Sequence, residues 1–150
     1  HIEPINNLHS WTRPMWLQEG MLLLNSTDGI IAYELKTRVT RRLVAGGMRH
    51  FVRWQNKLVM QDWDGNVFAC DINGADLTFL FKNSLMGGQH AFDLKGDYLM
   101  GVSCYISMLD SDSVFQSGHS VFVVNLNTLK YSYFPRKNEG QYAQFLTWCK

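Results

Sequence analysis

LVMQDWDGNVFACDI, residues 58–72, holds two apolar runs separated by Asp62-Trp63-Asp64-Gly65. Read alone, the acidic residues suggest a ligand site; read as punctuation, they are the turn of a hairpin. In the second run Val67, Ala69 and Asp71 point one way and Phe68, Cys70 and Ile72 the other, the period of a β-strand. Asp-Gly between two such runs is a strong hairpin signal, because glycine accepts the positive φ that tight turns require.

The stretch has an echo upstream, LLLNSTDGIIAYEL at 22–35, where Leu22 and Asp28-Gly29 lie 36 residues before Leu58 and Asp64-Gly65. Each is followed by a further alternating segment, RVTRRLVA (38–45) and ADLTFLFK (75–82), and then by a glycine pair, Gly46-Gly47 and Gly87-Gly88. A third copy follows, with Phe51 and Leu58 matching Phe92 and Leu99 at a spacing of 41. It diverges through 103–120 and resumes at VFVVNLNTLKYSYF (121–134), while QYAQFLTW (141–148) looks like the first strand of a fourth copy. A histidine is expected just before the first strand of each copy: His9, His50 and His90. In the second copy the strands are expected at Phe51–Trp54, Lys57–Asp62, Asn66–Ile72 and Leu77–Phe81. No segment keeps helical periodicity over three turns, so the chain reads as all-β.

Four short strands repeated every 36 to 45 residues is the signature of a β-propeller blade. GMLLLNSTDGIIAYELKTRVTRRLV (20–44) resembles a degenerate WD-type repeat, with Tyr33-Glu34, Cys70-Asp71 and Val124-Asn125 where the hallmark dipeptide would stand. WDGNVFACDINGADLTFLF (63–81) is equally similar to YWTD-type and TolB-type blades. The resemblance implies about three four-stranded blades, at 9–46, 47–87 and 88–139, with the next beginning at 140–150. Propellers close with four to eight blades, so the remainder is expected on another chain, on a removed portion of this one, or in an oligomeric partner. A sequence opening on HIEPINN, without an initiating Met, reads as a fragment or a processed product.

At 150 residues the chain is long enough for one domain with a sizeable core. A net charge of +1 gives no global drive toward nucleic acid or an anionic membrane. The longest apolar runs, such as Met21–Leu24 and Val121–Val124, are too short to span a bilayer. Three cysteines, Cys70, Cys104 and Cys149, make no disulfide framework and point to reduced thiols in an intracellular compartment, cytoplasm or nucleus. Against that stands one glycosylation sequon, Asn25-Ser26-Thr27.

Each candidate site has a plainer alternative. Asp62, Asp64, Asp71 and Asp76 suggest a carboxylate metal site, but they lack calcium-loop spacing, and turn chemistry explains them better. The three repeated histidines suggest zinc, yet in WD-type blades a histidine near this place resembles a member of a structural hydrogen-bond network. No metal or cofactor is expected. From Lys36 to Lys57 the chain carries Lys36, Arg38, Arg41, Arg42, Arg49, Arg53 and Lys57 with no acid, and Phe51 and Trp54 interleaved. That mixture suits phosphates and stacked bases, but alternation scatters it over both faces of two strands. A solvated blade edge is the first reading, a protein partner with an acidic patch the second, and nucleic acid the least favoured.

The inserted SMLDSDSVFQSGHS (107–120) reads as a loop interrupting the middle hairpin of the third copy. Its Ser111 and Ser113, beside acids, are candidate phosphorylation sites. The expected partner-binding set is Leu109, Asp110, Asp112, Phe115 and His119 of this insertion, with Arg49 and Arg53 of the basic stretch. No GxSxG elbow, HExxH, P-loop or dinucleotide fingerprint is present. The sequence therefore reads first as a non-enzymatic scaffold binding a protein partner, or its own missing blades, within a larger assembly. A propeller hydrolase or lyase with a central-funnel site is the alternative, and an extracellular receptor-type propeller the third. Trp63 and Phe68 are candidates for packing between neighbouring copies.

Overall fold

The computed structural model describes residues 14–84, 92–108 and 114–134. Twelve strands fill them: β1 (Met15–Gln18), β2 (Met21–Ser26), β3 (Gly29–Glu34), β4 (Thr40–Ala45), β5 (Met48–Trp54), β6 (Lys57–Asp62), β7 (Asn66–Asp71), β8 (Thr78–Ser84), β9 (Phe92–Lys95), β10 (Tyr98–Met108), β11 (Val114–Asn125) and β12 (Tyr131–Phe134). There is no helix among the described residues. Strands β1–β4, β5–β8 and β9–β12 each form an antiparallel meander of four, so the chain is all-β and built of propeller-type blades. The second and third meanders are joined, through β8 and β10, into one eight-stranded sheet. The expected start of a further blade, at 140–150, lies outside the described residues.

The repeat survives in the hydrogen bonds. Leu35 N donates to Gly20 O, Ile72 N to Asn56 O and Leu126 N to Asp97 O, the same tie between two turns made three times. Glu34, Asp71 and Asn125, at the position of the hallmark acid, each start the turn after the third strand of their blade. Glu34 accepts the Thr37 hydroxyl at 2.6 Å, and Asn125 Oδ1 accepts the amides of Asn127 and Thr128. A side-chain acceptor two or three residues ahead of free amides is ordinary turn chemistry, so it outlasts loss of the Trp-Asp dipeptide.

Packing follows from strand alternation. On β6 and β7 of the second blade, Leu58, Met60 and Cys70 face the first blade and meet Leu23, Ile30, Ala32 and Val44. Val59, Val67 and Ala69 face the third blade, with Phe81 of β8, and meet Leu99, Phe122 and Val124. Phe81 and Phe122 stack edge-to-face at 6.3 Å across that junction. Phe68 packs toward the first blade, as expected, and meets Phe79 edge-on at 5.7 Å.

Several local expectations need correction. β5 begins at Met48, so His50 lies inside the strand, opposite Gln61, rather than before it. His9 and His90 lie outside the described residues. β8 runs on to Ser84 because β10 pairs with its last four residues. The Asp-Gly pairs are not equivalent. Ser26 pairs with Gly29 across a two-residue turn, whereas Asp62 and Asn66 flank the three residues Trp63, Asp64 and Gly65. Gly29 opens β3 with φ +133°, and a Cβ there would lie 1.9 Å from the Val44 carbonyl oxygen. Gly65, at φ +85°, instead closes its turn. The second blade thus carries one extra residue, and Trp63 stands in that longer turn.

Phe81→Ala is expected to cost about 3–5 kcal/mol in urea denaturation, since a buried aromatic ring leaves a cavity at a blade junction. Leu77→Ala, at an exposed turn, is expected to stay within about 0.5 kcal/mol.

Candidate interaction surface

The two ends of the blades differ in what their polar groups do. At the end carrying the first-to-second strand turns, side chains tie blade to blade. Trp54 Nε1 and Gln55 Nε2 both donate to Asp97 Oδ1 at 2.9 Å, linking the second blade to the third. These bonds from Trp54 and Gln55 hold the Asp97 carboxyl below its ordinary value. Arg53 Nη1 donates to Leu17 O at 3.0 Å and its Nε to Gln55 O at 3.1 Å, linking the second blade to the first. Leu17 is the extra residue of a bulge, because Trp16 pairs with Leu22 but Gln18 with Met21. That bulge leaves its carbonyl oxygen for the guanidinium.

At the opposite end a second bulge has another effect. Met48 pairs with Asp62 and His50 with Gln61, so Arg49 is the extra residue of β5. Its guanidinium carbon lies 5.5 Å from the centroid of the Trp63 ring, a cation–π contact. Burial lowers the Arg49 guanidinium from its ordinary value, but it stays charged. Trp63 is 53% exposed, and Gly47 leaves room for its indole: a Cβ at Gly47 would sit 3.0 Å from Trp63 Nε1. Trp63 is therefore not packed between blades as expected; it lies on the surface at their seam.

The acidic residues beside Trp63 are turn chemistry. Asp62 Oδ1 accepts the amides of Asp64 (2.9 Å) and Asn66 (2.8 Å), and Oδ2 accepts the Asn66 side-chain amide at 2.7 Å. At the repeat position before it, Asn25 and Gln61 are both buried. Asn25 donates to the Met48 carbonyl oxygen, so the sequon asparagine is inside the fold, where it has no room for a glycan. Trp54 and Phe51, expected to interleave with the basic residues, pack into the two cores instead.

The described residues of the third-blade insertion are strand rather than loop. β10 and β11 lengthen to 11 and 12 residues, and their pairing continues through an irregularity after Ser103 to Tyr105↔Phe115 and Ile106↔Val114. Beyond that irregularity β10 runs antiparallel to β8, from Tyr105↔Ser84 to Met108↔Phe81. The hairpin is a strap along the outer edge of the second blade. Phe115 and His119 lie on β11 within it, while Leu109, Asp110 and Asp112, with Ser111 and Ser113, lie outside the described residues.

The described members of the expected set thus fall in three places: Phe115 and His119 on the strap, Arg49 at the Trp63 seam, and Arg53 at the far end. Arg49 and Arg53 are separated along β5 by four residues, about 13 Å. Trp63, the surface aromatic that sequence reasoning missed as a site, is marked only by the one-residue difference between the two turns.

No protein-family model matches the sequence, and no curated protein matches it significantly. The fold is similar to that of the N-terminal domain of Nup159, a β-propeller, with a TM-score of 0.56 and 12% identity over 85% of this chain. The chain spans only 31% of that domain's length. It is also similar to the computationally designed Ika4 protein, with a TM-score of 0.52 and 10% identity, covering 90% of this chain and 95% of that one. These likenesses define a propeller-like fold, and at such identities they carry the fold alone.

Two outcomes follow for the structural residues. Trp54→Phe keeps the ring but loses the bond to Asp97. A carboxyl held low in the folded state stabilises above its unfolded value, near pH 3.9, and the contribution disappears as pH falls through the folded value. Thermal melts should therefore show Trp54→Phe below wild type near neutral pH, with the gap shrinking in strong acid. Burial, with a smaller push from Asp71, raises the Cys70 thiol to about 11, outweighing the opposing effects of Lys57 and the Leu58 backbone. In a Cys104→Ser, Cys149→Ser background, iodoacetamide at mildly alkaline pH should label Cys70 only after denaturation, as read by mass spectrometry.

Proposed function

We propose that this chain is a protein-interaction scaffold, a propeller segment working within a larger assembly and meeting its partner at the Arg49–Trp63 seam. The carrying observation is an exposed tryptophan held under an arginine by two local departures from the repeat, a bulge and a longer turn. Trp and Arg dominate the energetics of protein interfaces because they offer large, rigid contact area together with directed hydrogen bonds. The end faces of the stack support the assembly part of the reading. Trp16, Leu22 and Tyr33 form one cross-strand row on the first blade, and Trp16 is 59% exposed. In the second blade, Leu58 and Cys70 occupy the positions of Leu22 and Tyr33, and there they are buried against a neighbouring blade. A further blade, from this protein or another, would cover the Trp16 row in the same way.

The test is a photo-crosslinking amino acid at position 63, with one at exposed position 77 as control, followed by mass spectrometry of the adducts. A discrete protein adduct at 63 that is lost on Arg49→Ala supports the seam. Adducts equal at 63 and 77, or unchanged by Arg49→Ala, would remove the seam as the contact surface.

A further inference from the structure

Residues 35–42, from the turn after β3 into β4, form an unbroken exposed run holding Leu35, Lys36, Arg38, Val39, Arg41 and Arg42. β4 is the last strand of its sheet, with no second neighbour among the described residues. Its open backbone groups can be assigned. Glu34 N donates to Val39 O while Glu34 O accepts Arg38 N, the bonds that close the turn, and the register continues through Tyr33↔Thr40, Ala32↔Arg41 and Ile31↔Arg42. Hydrogen-bonded pairs alternate along an antiparallel ladder. Arg41 therefore bonds inward to β3, while the N–H and C=O groups of Thr40 and Arg42 point to the open edge. The bulge residue Leu43 ends this stretch, because the turn at Gly74 closes on its carbonyl oxygen.

We infer that this edge accepts an extended acidic polypeptide segment as a fifth strand. Three observations favour that partner. The edge is cationic where its counterpart is not, since the matching residues of the second blade, 72–79, include Asp76 and no Lys or Arg. The apolar residues on the patch, Leu35 (44% exposed) and Val39 (59%), are aliphatic. They suit alternate side chains of a bound strand and offer no platform for stacking bases. The fold also already adds a strand to an outer edge, where β10 pairs with β8 in the second blade. Backbone pairing would supply geometry, and Lys36, Arg41 and Arg42 would supply the charge preference. The inference deepens the scaffold reading but uses a surface separate from the Trp63 seam, so either can fail alone.

The test is fluorescence-anisotropy titration of a short peptide alternating Glu and Val, beside its Lys-for-Glu counterpart and a single-stranded oligothymidylate. The Glu peptide should bind, weaken with added salt, and protect the Thr40 and Arg42 amides from hydrogen exchange. Arg41→Glu with Arg42→Glu should weaken it about tenfold, two ion pairs being replaced by repulsion. Thr40→Pro, which keeps every charge but removes an outward N–H, should also weaken it. Trp63→Ala should leave it unchanged, and thermal melts should confirm that the variants fold. Glu-peptide binding indifferent to Thr40→Pro, equal binding of the Lys peptide, or tighter binding of oligothymidylate would overturn the inference.

Discussion

A four-stranded sheet with apolar side chains on both faces cannot be stable alone, and every other feature of this chain answers to that constraint. In β6 the consecutive residues Leu58, Val59, Met60 and Gln61 are all buried, which a sheet with one wet face would never show. Alternation sends Leu58 and Met60 into the first blade and Val59 into the third, so each blade is the filling between its neighbours. Dispersion and the hydrophobic effect act across both junctions, and neither junction survives loss of the middle sheet. Strand interiors are thereby closed to variation, leaving the ends, the turns and the outer edges for anything particular to this protein.

At the strand ends, single-residue irregularities redirect side chains that the ladder would otherwise align. The same device, an extra residue in the first strand of a blade, gives opposite results at Leu17 and Arg49. In β1 it frees a carbonyl oxygen, which captures Arg53 and ties two blades together. In β5 it turns a guanidinium onto Trp63 at the surface. One end of the stack is thus stitched, through Arg53 and the Trp54–Asp97 bond, while the other presents an aromatic ring to solvent. Under the proposed scaffold role, a rigid end beside an exposed aromatic anchor would favour binding, because an anchor that does not reorganise loses less entropy on binding.

The fold was legible because its determinants are periodic. Alternation in NVFACDI sorted Val67 and Ala69 from Phe68, Cys70 and Ile72 onto the faces they occupy. The echo between Leu22 and Leu58 located the strands of the blade around Asp62. What escaped were features that break the period. Aligning the two Asp-Gly pairs hid the extra residue that exposes Trp63, since identity of letters outweighed register. The bulge at Arg49 leaves no mark in a hydrophobic pattern. The stretch 107–120 looked like a loop because its many Ser and Asp residues suggest one. Its described residues are instead strand, in the β10–β11 pair, and β10 also pairs with β8 across the blade boundary. That pairing is non-local, and no window of sequence contains both partners.

The outer edges show how these levels combine. An open strand edge invites pairing with any extended chain, including another copy of itself. The second blade resolves this by covering β8 with its neighbour's hairpin. β4 has no second neighbour over Thr40–Arg42 among the described residues, and there the sequence places arginines. Two such edges approaching each other would set like charges side by side, so the arginines oppose self-pairing. The same charges lower the free energy of an acidic strand arriving at the same backbone groups. Protection against self-association and selection of an oppositely charged partner are therefore one electrostatic property, and neither can be altered at Arg41 and Arg42 without altering the other.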